Sequence, residues 1–259
     1  KIDAPLQGDI KSVMQKFNSA VIDAGVKAPQ DWLDQIKNES EKNNTKFAKR
    51  ISASEAKPTL GFYSAIEPIN DLLQKHPDTY IVSEGANTLD IGRNLISMQK
   101  PRHRLDTGTW GVMGVGMGYA IATAVETGKP VIALEGDSAF GFDGMEMETI
   151  CRYHLPVIVV VVNNGGIYNG DVNVVPDQPG PTVLDHDAHY GDIAKAFGGD
   201  SYRVNNYTEM KDALEKAYES GNPTIIDAQI PASMGKESGH IGNLNPKLDL
   251  SSLEEKENK

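Results

Sequence analysis

The chain has 259 residues, of which 39% are apolar, and a formal net charge of −11 at pH 7. The apolar fraction supports a folded core, and no apolar run approaches the ~20 residues that a membrane-spanning helix needs. The acidic balance disfavours nucleic acid and anionic membranes as general partners. The single cysteine, Cys151, excludes an internal disulfide framework, and we predict a buried structural thiol in a reducing, cytoplasmic setting.

The first 57 residues are predicted to fold apart from the rest of the chain. After a short strand remnant, apolar residues recur at three- and four-residue spacing, which predicts an amphipathic helix. The members of this stripe are Ile10, Val13, Met14, Phe17 and Val21. A second helical stretch surrounds Trp32, and the polar residues from about 37 to 57 are predicted to be a partly helical connection.

From Pro58 onward, helical and strand patterns alternate. Helices are predicted over 63–77, 111–128, 144–154, 189–199 and 207–221, and strands over 79–85, 130–137, 155–164, 202–206 and 223–230. The strands are continuous apolar runs, which is typical of a parallel sheet covered on both faces. The predicted fold class is therefore α/β with a doubly wound parallel sheet, and the charged tail, 249–259, is predicted to be loose.

Two polar residues end successive predicted strands, Asp137 after PVIALEG and Asn164 after LPVIVVVVN. A helical crossover between parallel neighbours brings both strand ends to the same carboxyl edge of the sheet, where ligands of open α/β sheets bind. A carboxylate and an amide oxygen at that edge suit Mg²⁺. Gly165 and Gly166 would allow a turn that directs a main-chain carbonyl at the metal.

Each of these residues also has an ordinary structural explanation. Asp137 could cap the following helix, and Asn164 could lie in a strand-to-loop turn. The two residues together, with NNGG after a long apolar run, favour the metal site. Ser138 and Ala139 would let main-chain N–H groups approach a diphosphate closely.

Two other nucleotide-binding patterns are not satisfied. GVMGVGMGY departs from the dinucleotide fingerprint because Tyr119 stands where its last glycine should be. A Walker-type loop is also missing from the sequence, which argues against a plain Mg²⁺-nucleotide domain. The basic run 100–104 could meet phosphates, although a solvated turn is favoured. His154, His186 and His189 lack metal-ligand spacing and receive no role.

The motif GDS, followed after 24 residues by NNGG, resembles the thiamine-diphosphate motif, with Ser138 in place of a glycine. Together with EGANTLDIGRN, DTGTWGVMGVGMGYAIA, EGDSAFGFDGMEMETICRYHLP, NNGGIYNGD and ESGHIGNLNP, it makes the chain from about Tyr63 to Pro246 resemble the oxalyl-CoA decarboxylase family. PLQGDI resembles the end of that family's middle domain. The resemblance thus implies three segments: a middle-domain remnant with linker, 1–57, a cofactor-binding domain, 58–248, and a loose tail, 249–259.

The resemblance also implies a role for particular residues. Mg²⁺ would bind the side chains of Asp137 and Asn164 and the carbonyl of Gly166. Thiamine diphosphate would contact Gly111, Val112, Met113, Ser138, Ala139 and Ile167. Met113 would lie beneath the bend of the cofactor, with ordinary helix packing as the alternative. The coenzyme A thioester would contact Ala86, Asn87, Thr88, Glu237, Ser238, Gly239 and His240.

The implied reaction converts oxalyl-CoA to formyl-CoA and CO₂ in a homo-oligomer, dimeric or tetrameric in the full-length enzyme. The family's activating glutamate belongs to a pyrimidine-binding domain that no segment of this chain resembles. We therefore assign no catalytic residue and expect the chain to be an inactive carboxy-terminal part of a longer enzyme. A 2-hydroxyacyl-CoA lyase and the diphosphate-binding subunit of a split enzyme remain the alternatives.

Overall fold

The computed structural model describes residues 3–168 and 180–232. The chain divides into two units, residues 1–48 and 49–259. In the first unit, the predicted stripe forms helix α1 (Ile10–Asp23), which begins where Asp9 Oδ1 accepts the N–H of Ser12 at 2.9 Å. Residues 3–9 contain no strand, so the predicted strand remnant is wrong.

Helix α2 (Gln30–Glu55) replaces the predicted partly helical connection. Its sequence has neither Gly nor Pro, which favours a helix. Opposite charges also lie one turn apart, with Lys37 Nζ 4.0 Å from Glu41 Oε1. The predicted domain boundary at 57/58 follows the end of this helix, whereas the second unit begins at Lys49. The assignment of residues 1–57 to a middle domain stays a prediction.

The second unit is built on a six-stranded sheet in which every neighbouring pair is parallel. Its strands are β1 (Tyr80–Ser83), β2 (Arg104–Asp106), β3 (Val131–Gly136), β4 (Val157–Asn163), β5 (Asp200–Val204) and β6 (Thr224–Gln229). Their order across the sheet is β2-β1-β3-β4-β6-β5. The central strands β3 and β4 carry the longest apolar runs and are almost fully buried. This architecture confirms the predicted fold class.

Helices cover both faces of the sheet. They are α3 (Phe62–Lys75), α4 (Asn87–Leu95), α5 (Gly116–Thr127), α6 (Asp137–Asp143), α7 (Met147–Arg152), α8 (Gly191–Ala196) and α9 (Tyr207–Ser220), with a 3₁₀ turn at Gly144–Glu146. Met117 of α5 and Phe140 of α6 pack with Ala133 and Val159 on one face. On the other face, Gly92 of α4 lies against Leu134, and α3 packs between α4 and α9. No helix within residues 3–168 and 180–232 is long and apolar enough to cross a membrane.

Four local predictions are corrected by the structure. Helix α4 and strand β2 were not expected, and helix α6 begins directly at Asp137, whereas the next predicted helix began only at residue 144. The helix predicted from Gly111 begins only at Gly116, because Gly111 and Gly114 have φ values of +64° and +91°, outside the helical range.

The basic run 100–104 lies at the amino-terminal edge of the sheet because it leads into β2. Lys100 pairs there with Asp78. Arg104 is itself the first residue of β2, and its Nη2 donates to the carbonyls of Gly92 and Ile96 at the end of α4. The run is therefore far from the carboxyl edge, which disfavours a role in binding phosphates there.

Glu67 on α3 is a half-buried carboxyl with acidic neighbours. Tyr207, the first residue of α9, donates its hydroxyl to Glu67 Oε2 at 3.2 Å. Burial, and then the negative charge of Asp71 one turn further along α3, raise the pKa of Glu67 to about 7. Glu55 at the end of α2 adds a smaller repulsion.

We predict that Glu67→Gln stabilises the protein at neutral pH more than in acid. A carboxyl whose pKa rises on folding costs no stability below its unfolded value, and the cost grows as pH rises from 4.5 to about 7. The difference in unfolding free energy between Glu67→Gln and wild type, measured by urea denaturation, should increase across this window. Asp71→Asn should lower the pKa of Glu67. It should also make the unfolding free energy depend less steeply on pH than in the wild type. A difference that does not change with pH contradicts the prediction.

Candidate functional site

The candidate site lies at the carboxyl edge of the two central strands. Strands β3 and β4 are parallel neighbours, and Gly136 at the end of β3 pairs with Val162 of β4. Asp137 and Asn164 follow these strands directly and are 2% and 3% exposed. The sequence-based expectation that both residues leave the sheet at one edge is therefore met by the fold.

The carboxylate of Asp137 is surrounded by main-chain N–H groups. Its Oδ1 accepts from Ser138 at 2.6 Å, and its Oδ2 accepts from Asn164 at 3.2 Å and from Gly166 at 2.9 Å. Burial nevertheless raises the pKa of Asp137 to about 6, because these bonds only partly offset the loss of water. A divalent cation would stabilise the ionised form of such a carboxylate.

The loop after β4 holds two further oxygens near this carboxylate. Nδ2 of Asn164 donates to the carbonyl of Tyr168 at 2.8 Å, so the amide Oδ1 is directed away from that carbonyl. The carbonyl of Gly165 accepts from Leu184 at 2.9 Å, and the N–H of Ile167 donates to Thr182 at 2.9 Å. Among the described residues, no hydrogen bond reaches the Gly166 carbonyl, the predicted third ligand.

His186, which received no role from the sequence, supports this loop from the other side. Its ring lies so close to Gly165 that a Cβ at Gly165 would be 3.0 Å from His186 Cδ2. Its Nε2 lies 3.2 Å from the carbonyl of Ile230, just after β6. Gly165 also has a φ of +75°, so the turn requires glycine for two independent reasons.

A cleft at this edge brings together most of the predicted site residues. Those that line it are Ala86, Asn87, Thr88, Met113, Asp137, Ser138, Ala139, Asn164, Gly166 and Ile167. Gly111 and Val112 do not line it, and Val112 is 43% exposed. The predicted substrate residues Glu237, Ser238, Gly239 and His240, like the tail, lie outside the described residues.

Met113 lies in the loop before α5 and not in a helix, so ordinary helix packing does not explain it. Its Sδ is 3.9 Å from the hydroxyl of Ser138, on the first turn of α6. The cleft also includes Phe62, the first residue of α3, and Tyr168, neither of which was predicted. Tyr168 comes four residues after Asn164, and that proximity is the signal that could have found it.

The loop that carries Met113 is held by carboxylates that sequence reasoning missed. Glu84, after β1, accepts the N–H groups of Gly114, Val115 and Gly116 at the start of α5. Asp143 accepts the next N–H, that of Met117, at 3.1 Å. These bonds satisfy the free donors of the helix terminus and fix where the loop ends.

Glu135 completes this acidic group from inside the sheet. Its carboxyl is fully buried, and neither oxygen has a hydrogen-bond partner among the described residues. Burial, followed by repulsion from Glu84 and Asp143, raises the pKa of Glu135 far above its usual range. A side chain at Gly116 would collide with both Glu135 and Glu84, so the close approach of this helix requires glycine.

Groups of three or more His, Cys, Asp or Glu side chains that could hold a metal are not found within residues 3–168 and 180–232. A metal at the cleft would therefore need mixed ligands. One carboxylate, one amide oxygen and one main-chain carbonyl form a set that Mg²⁺ accepts, since it binds oxygen and keeps open positions for water or phosphate. The donor set of Asp137, Asn164 and Gly166 fits that requirement.

Residues 85–228 match the family described as thiamine pyrophosphate enzyme, C-terminal TPP binding domain. The chain belongs to this family. The match begins just after β1 and ends within β6, and it contains Asp137, Asn164 and Gly166. These three residues therefore lie in a domain whose family binds thiamine pyrophosphate.

The resemblance to oxalyl-CoA decarboxylase is also confirmed. The chain is 48% identical to oxalyl-CoA decarboxylase of Escherichia coli (strain K12) over 95% of its length, which is 44% of that protein. It is 38% identical to 2-hydroxyacyl-CoA lyase of Oryza sativa subsp. japonica over 92% of its length, 43% of that protein. The chain thus spans less than half of these curated relatives.

Solved structures agree on the fold. Benzoylformate decarboxylase from Polynucleobacter necessarius superposes with a TM-score of 0.58 at 21% identity, over 69% of this chain and 34% of that chain. At this identity the likeness shows a common architecture only.

We predict that Gly165→Ala destabilises the protein by about 2 to 4 kcal/mol, from a left-handed conformation and a contact that must move His186. Gly221→Ala is the matched control, because Gly221 has a φ of +66° and nothing within 4 Å of its Cβ position. It should cost only the backbone strain, about 1 kcal/mol. Urea denaturation of both variants measures the difference, and equal losses would show that His186 does not support the turn.

Proposed function

We propose that this chain is the carboxy-terminal, diphosphate-binding part of a decarboxylase that uses thiamine diphosphate and Mg²⁺ to convert oxalyl-CoA to formyl-CoA and CO₂. The observation that carries the proposal is the buried carboxylate of Asp137 beside Asn164 and the Gly166 loop, in a cleft of this family's cofactor-binding domain. The 48% identity to oxalyl-CoA decarboxylase supports the substrate.

Charge balance supports the metal. The residues that line the cleft include Asp137 but neither Lys nor Arg. A diphosphate placed there would face a carboxylate with no cationic side chain from the described residues of the lining. A divalent cation shared by the carboxylate and the phosphate oxygens removes this repulsion. In this acidic chain, a divalent cation would thus neutralise the anionic cofactor.

The remaining residues of the cleft would position the cofactor. The main-chain N–H of Ala139 would contact the diphosphate, with Ser138 beside it, since the Ser138 N–H donates to Asp137. Met113 would pack beneath the body of the cofactor, with Ile167 beside it. Gly111 and Val112, which do not line the cleft, would contact the cofactor from the loop before α5. The bound cofactor would supply an electron sink for loss of CO₂, and the protein would supply position and electrostatics.

The proposal also includes residues that would contact the substrate. Ala86, Asn87 and Thr88 line the cleft, where they could meet the acyl end of a coenzyme A thioester. The hydroxyl of Thr88 donates to the carbonyl of Glu84 at 2.6 Å, so it would offer only an acceptor to a ligand. The closing segment 237–240, the homo-oligomer and the cytoplasmic location stay predictions.

A second candidate is a 2-hydroxyacyl-CoA lyase. It is favoured by the 41% identity to human 2-hydroxyacyl-CoA lyase 1 over 74% of the chain. In either case we propose that the activating glutamate comes from a pyrimidine-binding domain, which lies on the same longer polypeptide or, in a split enzyme, on a separate one. The mass of the source polypeptide separates these two arrangements.

We predict that Asp137→Asn weakens Mg²⁺-dependent binding of thiamine diphosphate by at least about 100-fold, because the loss of a charged ligand removes much of the metal affinity. Isothermal titration of the full-length protein measures this loss. Asp192→Asn, which removes a carboxylate paired with Lys195 on the surface of α8, is the matched control and should bind normally. Unchanged cofactor binding in Asp137→Asn would refute the metal site.

The substrate is tested by product analysis of the full-length enzyme. We expect formyl-CoA from oxalyl-CoA and no aldehyde from a 2-hydroxyacyl-CoA. The 259-residue chain alone should show no turnover with oxalyl-CoA, thiamine diphosphate and Mg²⁺. Aldehyde release as the faster reaction would select the lyase, and turnover by the chain alone would refute the need for a pyrimidine-binding domain.

A further inference from the structure

Two side-chain amides converge on the main-chain carbonyl of Tyr168. Nδ2 of Asn164 donates to it at 2.8 Å, and Nδ2 of Asn87 donates to it at 3.0 Å. A carbonyl oxygen has two lone pairs and can accept both bonds. Asn87 is the first residue of α4, whereas Asn164 follows β4. The shared carbonyl therefore ties the start of α4 to the metal loop, residues 164–168.

The bond to Tyr168 decides which way the Asn164 amide faces. An amide carries its oxygen and its nitrogen on opposite sides, so donation by Nδ2 to the carbonyl turns Oδ1 away from it. The flipped amide would place the Asn164 oxygen against the Tyr168 carbonyl, two acceptors facing each other, and Asn164, which is 3% exposed, would lose this hydrogen bond. The Tyr168 carbonyl thus presents Oδ1, the proposed ligand, for metal binding.

The backbone of Tyr168, which carries this carbonyl, has an unfavourable conformation. Its φ is +55°, a left-handed value that is sterically unfavourable for a non-glycine residue. Its side chain is 64% exposed, so burial of the ring contributes little to offset this strain. Among the described residues, the hydrogen bonds from the Asn87 and Asn164 side chains, together with that from the Ile167 N–H to the Thr182 carbonyl, help to keep the backbone in place.

We propose that Asn87 is a positioning residue of the metal site, acting through the Tyr168 carbonyl to orient Asn164. This inference rests on the proposed Mg²⁺ site. It gives Asn87 a role that is independent of any direct contact with the substrate. Without the Asn87 donor, the loop keeps its sequence and all three ligands but loses the bond that anchors it to α4.

The test uses the full-length protein with saturating thiamine diphosphate and measures Mg²⁺ affinity by isothermal titration, with Mn²⁺ as a spectroscopic probe. Asn87→Ala should weaken Mg²⁺ binding about tenfold, the effect expected when a group that orients a ligand is removed. The melting temperature in EDTA without cofactor should stay unchanged. A purely structural role would instead lower the melting temperature.

Asn87→Asp separates hydrogen bonding from charge. The carboxylate has no N–H to donate to Tyr168, but its charge would attract a nearby cation. Positioning predicts weaker Mg²⁺ binding in this variant, and tighter binding would overturn the proposal. The matched control is Asn222→Ala. Asn222 lies just before β6, at the opposite edge of the sheet, and its Nδ2 donates to Asp200 Oδ2 at 3.1 Å. Loss of this hydrogen bond should leave Mg²⁺ affinity unchanged.

The possible failures are distinguishable. If the wild-type protein binds no Mg²⁺ with thiamine diphosphate, the proposed function fails and the inference fails with it. If the wild type binds Mg²⁺ and Asn87→Ala binds it with equal affinity, only the positioning role is refuted. A rise in the KM for the acyl-CoA at unchanged Mg²⁺ affinity would make Asn87 a substrate contact and would also refute it.

Discussion

The site depends on the adjacency of β3 and β4, which places a carboxylate in a nearly dry environment at the edge of the sheet. An ionised carboxyl there needs compensating interactions, because the free-energy cost of removing it from water is far larger than the gain from one hydrogen bond. The main-chain N–H groups of Ser138, Asn164 and Gly166 compensate Asp137 in part, and in doing so they wrap the loop after β4 around it. These hydrogen bonds shape the loop but compensate the negative charge of Asp137 only in part. A bound cation can compensate the rest.

Glu84 shows how a carboxylate at the same edge serves a different purpose. It accepts three consecutive N–H groups at the start of α5, so its charge is directed at a helix terminus that carries partial positive charge. Glu84 thereby anchors the loop that bears Met113, while Asp137 anchors the loop that bears Asn164. Two acids that follow neighbouring strands thus fix two loops that contribute to the cleft, and of these two acids only Asp137 lines the cleft itself.

The parts of this arrangement that could be predicted from sequence are those set by local patterns. The apolar runs of β3 and β4 predict buried parallel strands, and the polar residues that follow them predict the edge at which a ligand binds. The three-residue strand β2 is too short to leave a pattern, and its placement beside β1 is a tertiary contact. Residues 111–115 were read as helix because they are apolar and rich in glycine, whereas positive φ values at Gly111 and Gly114 hold them as a loop. His186 and Asn87 act through contacts with residues distant in sequence, which no local spacing reveals.

Unusual backbone conformations recur in the loops around the cleft, which bears on how far the site is formed in advance. Positive φ values occur at Gly85, Gly111, Gly114, Gly165, Gly166 and Tyr168. The glycines adopt them without a steric penalty, and at Gly85 and Gly165 a Cβ would also press against Thr88 and His186. Tyr168 is the exception among these six, and it is also the residue whose carbonyl receives two amide donors. Strain of this kind persists only where surrounding contacts over-determine the backbone. Its coincidence with the hydrogen bond from Asn164 argues that the loop of residues 164–168 holds one geometry before any ligand binds.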